Sequence, residues 1–298
     1  MTARDAGLAS LTSVIWGLAF VAVKFALQGF SAPELTAVRF LIAALAVFVV
    51  PRPRISWQSV VLIGLTLFTG QFLLLFFAYT RGLPPGLASV TQQIQAFFTV
   101  LLAALLLQEV PSARQWAGMT VALAGLALIA ATVGSDFTTA GLALGLGGAF
   151  SWAVGNVLVK RSVDVPIFPL VAWASLVPPL PSLMIAVAPG GGAVLFASAF
   201  RAPLSSIVAA IYLGLIATIF AYSIWGGLLQ RYPAAVVAPF ALLAPCTGVV
   251  ASAVIFGEVF GPARYAGMVL ILVGLAVVIR APATRAGAAR VEPPAGAT

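Results

Sequence analysis

Apolar residues in this chain come in long runs, without the strict alternation of a half-buried strand. Ten runs can be drawn, over residues 6–28, 32–50, 57–80, 86–107, 114–132, 139–161, 166–187, 204–229, 234–256 and 262–280. Each approaches the ~20 apolar residues that cross a bilayer core as a helix. Turn chemistry and charge separate them: Gly29 to Pro33, the Pro-Arg-Pro-Arg stretch 51–54, Arg81 to Pro85, Glu109 to Arg114, Gly134 to Asp136, the glycines 190–192, Tyr232-Pro233 and Gly261-Pro262. In hydrocarbon every backbone N–H and C=O must be satisfied internally, so the runs are expected to be helices. A barrel would need strands of ~10 alternating residues, which are absent. The segment 281–298, rich in Ala, Pro and Arg, is expected to be a disordered cytoplasmic tail.

Composition agrees with a bilayer as solvent. Of 298 residues, 62% are apolar and 7% are charged, with a mean hydropathy of +1.14. A water-soluble domain could not cover its surface with so few charges. The net charge of +8 comes from single Arg and Lys residues at segment ends. That is a topology signal, not a nucleic-acid patch. With the N-terminus inside, Arg4, Arg52, Arg54, Arg114, Lys160, Arg161, Arg231, Arg280, Arg285 and Arg290 fall on the inner side. Arg81, Arg201 and Arg264 fall outside, so both termini are expected in the cytoplasm. There is no His and one Cys, Cys246, so a disulfide within the chain is impossible and no metal or cofactor site is expected. Arg4 ahead of an apolar run resembles a cleaved signal peptide. The run has a counterpart later in the chain, so a retained span is expected.

That counterpart belongs to an internal repeat. Trp16-Gly17, Val23 and Lys24 align without gaps to Trp152-Ala153, Val159 and Lys160, an offset of 136. Later, Glu109, Ala117-Gly118-Met119 and Gly125-Leu126 align with Glu258, Ala266-Gly267-Met268 and Gly274-Leu275, an offset of 149. A longer loop, Ala188 to Pro203, fits most of the difference. The expected domains are residues 1–135 and 136–280, followed by the tail 281–298. Each repeat holds five spans, an odd number, so the copies must cross the membrane in opposite senses. The fold class expected is therefore an all-α membrane protein of ten transmembrane helices, arranged as two inverted five-helix repeats around a central cavity.

These residues resemble the drug/metabolite transporter superfamily, and within it the ten-helix EamA family. The pattern is Trp-Gly in the first span, a Glu closing the fourth, then a basic residue and a Gly-rich fifth span, all repeated. It is met here by Trp16-Gly17, Glu109, Arg114 and Gly118 to Gly125, and again by Trp152, Glu258, Arg264 and Gly267 to Gly274. Within the family the chain looks most like the YddG-type aromatic amino-acid exporters. The resemblance implies a basket-shaped bundle in the bacterial inner membrane. One feature departs from the small multidrug relatives, which use a carboxylate in the first span. Residues 6–28 hold none.

Several classes of chemistry are excluded. There is no phosphate-binding Gly-x-x-x-x-Gly-Lys-Ser/Thr loop, no Ser/His pair, no His-Glu-x-x-His and no pair of carboxylates within a span. A carrier is expected, not an enzyme. Trp16, Phe20 and Lys24 share one helix face, and Trp152, Asn156 and Lys160 the equivalent face of the other half. These stripes could line a cavity, with Lys meeting a carboxylate and Trp an apolar ring. Equally, Lys24 and Lys160 could snorkel to headgroups, and the Trp residues could only pack. Arg39 lies about seven residues into the second span, where an ionisable group is costly unless paired or wetted. It could serve a ligand, cap carbonyls or pair with Glu34. In the fourth span Gln92, Gln95 and Thr99 share a face, either lining a site or bonding between helices. Gln71 and Tyr79, two turns apart, could join them, as could Tyr222 and Trp225. Pro239 and Pro245 are candidate gating positions. Glu109 and Glu258 read as structural partners of Arg114 and Arg264.

The function expected is secondary transport: export of small metabolites, chiefly amino acids including aromatic ones, by alternating access, with that specificity carried by the resemblance. Alternatives are a nucleotide-sugar or other metabolite or drug exchanger and, in another class, a non-transporting scaffold or receptor with its polar faces packed shut. The partners expected are a small-molecule substrate and the lipid bilayer, with no nucleic acid. The chain is expected as a monomer or weak homodimer.

Overall fold

The structure is a computed structural model that describes residues 1–83, 91–132, 138–187, 201–257 and 261–280. No strand occurs among the described residues. In chain order the helices are α1 (Ala3–Ala26), α2 (Ala32–Ala44), α3 (Trp57–Ile63), α4 (Gln71–Thr80), α5 (Gln95–Leu107), α6 (Ala113–Ala130), α7 (Thr139–Arg161), α8 (Ile167–Ala174), α9 (Pro179–Val187), α10 (Leu204–Ile211), α11 (Ala221–Arg231), α12 (Ala234–Val237), α13 (Leu243–Phe256) and α14 (Pro262–Ile279). Wide π turns join α3 to α4 (Gly64–Gly70) and α10 to α11 (Tyr212–Phe220) without a break. Tighter 3-10 turns extend α2 (Leu45–Phe48) and join α12 to α13 (Ala238–Leu242). Among the described residues, seven helical stretches are long and apolar enough to cross a membrane: Ala3–Ala26, Trp57–Leu75, Ala113–Ala130, Thr139–Arg161, Ile167–Val187, Leu204–Arg231 and Ala234–Ile255.

Local sequence explains where helices begin and end. Thr2, Ser56 and Thr138 accept N–H groups of the first turn in α1, α3 and α7. Ser31 with Glu34, and Ser112 with Gln115, form reciprocal capping boxes for α2 and α6. Pro262 opens α14, where its missing N–H is an orphan anyway. The run 166–187 does not form one regular helix. It is interrupted between α8 and α9, where Pro178, Pro179 and Pro181 remove N–H donors.

Glycines set how closely the helices approach. A Cβ on Gly118 would lie 2.7 Å from the carbonyl oxygen of Gly274, and one on Gly274 2.5 Å from that of Gly118. Gly125 and Gly267 stand in the same mutual relation, at 2.5 and 2.7 Å. Residue 118 thus faces 274 while 125 faces 267, so α6 and α14 run antiparallel with backbones in contact. The contact is self-complementary, as a two-fold relation requires. A second pair of contacts obeys the same relation. A Cβ on Gly64 would meet the Ala174 oxygen at 2.7 Å and Val177, while one on Gly214 would meet the Arg39 oxygen at 2.9 Å and Ile42. The two π turns match as well: Thr69 donates to the Gly64 carbonyl and Thr218 to the Leu213 carbonyl, each five residues back. Large apolar side chains such as Phe48, Leu105 and Val254 remain on the outer surface. That surface suits lipid contact better than water.

Candidate functional site

A cavity of about 180 Å3 lies between α1, α2 and α4 of the first half and α7 of the second, with Leu213, Tyr222 and Ala244 also contributing from the second half. That is smaller than the roughly 300–1,000 Å3 of drug-sized sites and leaves room for a small solute. It extends to Leu27 and Ala32 at the turn between α1 and α2, and Leu27 is itself exposed. Seven residues singled out from the sequence reach its lining. Trp16 and Phe20 come from α1, and Arg39 and Gln71 from α2 and α4. Gln92, Trp152 and Tyr222 complete the set.

An aromatic cluster bounds the cavity at mid-depth. Trp16 meets Trp152 edge-on, with ring centroids 5.4 Å apart and planes at 77°. It also packs on Tyr222 at 5.0 Å and Trp225 at 5.1 Å. Trp16 and Trp152, on equivalent faces of the two halves, are therefore in contact and form one floor. The Trp16 indole donates to the Ala217 carbonyl at 3.0 Å, while the Trp152 indole N–H is buried without a partner among the described residues. Gly17, next in sequence, lets α1 approach α13. A Cβ there would fall against the Thr247 side chain and 2.7 Å from the Ala244 oxygen. This is the physical reason for Trp followed by Gly.

The polar lining is sparse and neutral apart from Arg39. The Arg39 Nε donates to the Thr218 hydroxyl at 2.8 Å, and its guanidinium lies over the Phe72 ring at 4.4 Å. Glu34 is not its partner. Among the described residues no carboxylate pairs with Arg39, and Glu34 accepts the Ser31 N–H at 2.6 Å. Tyr222 donates to Gln71 Oε1 at 3.1 Å. Gln92 donates to the Gly145 carbonyl at 3.0 Å. The Oε1 atoms of Gln92 and Gln93 are buried with no donor among the described residues.

Below the floor the chain is sealed by two polar layers. In the first, Trp225 donates to Asn156 Oδ1 at 3.2 Å, and Asn156 Nδ2 donates to Gln95 Oε1 at 3.0 Å and Thr99 at 3.2 Å. Because an indole is donor-only, it fixes which way the Asn156 amide points, and Asn156 fixes Gln95. These four residues bond between helices and do not line the cavity. In the second layer, Lys160 pairs with Glu109 at 2.9 Å and donates to the carbonyls of Leu229 at 2.7 Å and Tyr232 at 2.5 Å. The other Glu109 oxygen accepts the Ala234 N–H at 2.8 Å. Lys160 is thus neither a cavity residue nor a headgroup snorkel. Glu109 pairs with Lys160 rather than Arg114, whose guanidinium points to the Arg280 carbonyl. Alongside, Tyr232 donates to Asp5 at 2.6 Å, and Arg231 approaches the same carboxylate at 3.5 Å.

Other expected positions fall elsewhere. Lys24 is exposed in the last turn of α1 and is not part of the cavity lining. Pro239 is buried in the 3-10 turn joining α12 to α13, where Phe240 accepts a hydrogen bond from Ser13 of α1 at 2.7 Å. Pro245 sits in the first turn of α13. The side chain of Tyr79, and all of Glu258, lie outside the described residues. Sequence reasoning missed Phe72, Gln93 and Thr218. Gln93 stood in the amide-rich fourth run, but nothing in the spacing singled out Phe72 or Thr218.

Residues 6–131 and 139–280 each match the model of the EamA-like transporter family. A protein of Salmonella typhimurium named "Probable amino-acid metabolite efflux pump" is 39% identical over 282 residues, covering 92% of this chain and 94% of the relative. One of the same name from Escherichia coli is 37% identical with the same coverage. A "Probable terminal-alkyne amino-acid exporter" of Streptantibioticus cattleyicolor is 30% identical, with 91% of each chain covered. A solved crystal structure at 21% identity superposes with a TM-score of 0.78, covering 93% of this chain and 96% of the other, and shares the fold.

Proposed function

Because the chain belongs to the EamA-like transporter family, whose matched relatives are transporters and not enzymes, we propose that it exports small amino-acid metabolites, aromatic ones included, by alternating access. The observation that carries this is a cavity reaching one end of the bundle, floored by a Trp from each half, with the opposite end closed by Lys160 and Glu109. A scaffold with its polar faces packed shut would have no such opening. The names of the relatives support amino-acid substrates, and the aromatic floor suits an apolar side chain.

The architecture proposed is ten spans in two inverted five-span repeats, over residues 1–135 and 136–280. The self-complementary antiparallel contact of α6 with α14 supports it, as does the twin match to one family model. In this reading both termini face the cytoplasm of a bacterial inner membrane. The cavity opens outward and the Lys160 end faces inward. Transport follows the substrate gradient, since no described lining residue is a carboxylate able to carry a proton. The 3-10 turn holding Pro239 and the helix start at Pro245 are where the second half flexes. Counterflow of labelled phenylalanine in liposomes tests the proposal. Accumulation against an unlabelled load is expected. It should persist after the proton gradient is collapsed, and loss of flux at that step would overturn the uncoupled mechanism.

A further inference from the structure

Two buried cations in this chain are neutralised in different ways. Lys160 has a carboxylate and two backbone carbonyls around its ammonium. Arg39 is as buried, at 7% exposed, yet it has one hydroxyl on Nε and no carboxylate among the described residues. Thr218 uses its own hydrogen on the Leu213 carbonyl and so presents a lone pair to Arg39. With Nε anchored there and the plane held over Phe72, the guanidinium is fixed in orientation. Nη1 and Nη2 have no hydrogen-bond partner among the described residues, and the side chain lines the cavity. A buried charge without a counterion is costly, so a site that keeps one is built to receive it.

Arg39 does not follow from the repeat. The mutual contacts of Gly64 with Ala174 and of Gly214 with Arg39 place Ala174 at the equivalent position of the other half. The guanidinium is an addition made on one side only. Among the described lining residues it is also the one that carries charge. An ammonium entering the cavity would find no charged acceptor among the described lining residues.

We propose that Arg39 is the carboxylate-recognition residue of the cavity, and that the carboxylate, not the amine, decides which solutes enter. This rests on the transport reading for its physiological meaning but not for its test. A planar guanidinium with both terminal nitrogens open matches a carboxylate in bidentate fashion. The ranking that follows is amino acid first, its deaminated acid next, and the decarboxylated amine rejected. Phosphorylated solutes with two or more charges find one cation and are poor ligands.

The test is tryptophan-fluorescence titration of the purified full chain with phenylalanine, 3-phenylpropionate and phenethylamine. Trp16 and Trp152 report on the cavity itself. Saturable binding of both carboxylates is expected, with phenethylamine binding at least about tenfold weaker, as loss of a charge-assisted pair implies. Arg39→Gln should weaken both carboxylates by about tenfold or more, and Arg39→Lys by less. If phenethylamine binds as well as 3-phenylpropionate, if no ligand binds, or if Arg39→Gln binds phenylalanine like wild type, the proposal falls. Should Arg39→Gln not fold, the wild-type ranking and Arg39→Lys decide. Binding without any flux in liposomes would sink the transporter reading and leave this one standing.

Discussion

Lys160 sets the strongest single constraint at the scale of one residue. Its ammonium holds Glu109 beyond the end of α5 and the carbonyls of Leu229 and Tyr232 at the end of α11. Removing one partner leaves the other charge uncompensated in a partly buried place. Lys160→Met should cost about 3 kcal/mol, and Glu109→Gln about as much. The double variant should cost clearly less than their sum, because neither charge is then stranded. Thermal unfolding in detergent reads this, and strict additivity would show that the pair is not coupled. The sequence made both residues visible but not their pairing. Arg114 lies five positions from Glu109 and Lys160 lies 51, so proximity along the chain favoured the wrong partner.

Elements meet through glycine, and the contacts come in related pairs. The interface of α6 with α14 is the clearest case, since Gly118 faces Gly274 and Gly125 faces Gly267. Gly118→Ala and Gly274→Ala push a methyl toward backbone oxygen at 2.7 and 2.5 Å, and backbone cannot rotate away. Each should destabilise by about 1–3 kcal/mol, the range for overpacking. If the two halves are related by a two-fold, the losses should agree within about 0.5 kcal/mol. A harmless substitution at one glycine beside a damaging one at the other would break the symmetry argument. The ends of α5 and α13 obey the same relation, for Gln108 and Gly257 both turn left-handed, at φ 55° and 66°. Only the glycine was legible as a helix stop, because it adopts that geometry without a Cβ penalty.

For the whole molecule, the cavity and the ionic layer sit at opposite ends of one bundle, so the alternating access proposed above would require them to open in turn. In a Cys246→Ala background, Leu27→Cys should react with an impermeant maleimide from the outer side and Ala234→Cys only from the inner side. Adding substrate to both sides should increase labelling at Ala234 as the Lys160 layer opens during cycling. Simultaneous full labelling at both positions would rule out alternating access in favour of a pore.

The linear sequence by itself determined the solvent, the helical state and the repeat. Those follow from run length, backbone satisfaction in hydrocarbon and residue identities that recur at offsets of 136 early and 149 late in the two halves, none of which needs a neighbour in space. It also marked Trp16, Arg39, Gln71, Gln92 and Trp152, because large or polar side chains within apolar runs must be accommodated somewhere. Tertiary structure alone decided which of them share a cavity. Asn156 lies on the face of Trp152 one turn on, yet it faces Gln95 and Trp225 instead of the cavity. Phe72 follows Gln71 directly and supports Arg39 from another helix. The rotation and depth of each helix are set by close contacts such as those at Gly17, Gly118 and Gly214, and a helical period fixes a face without fixing what it meets.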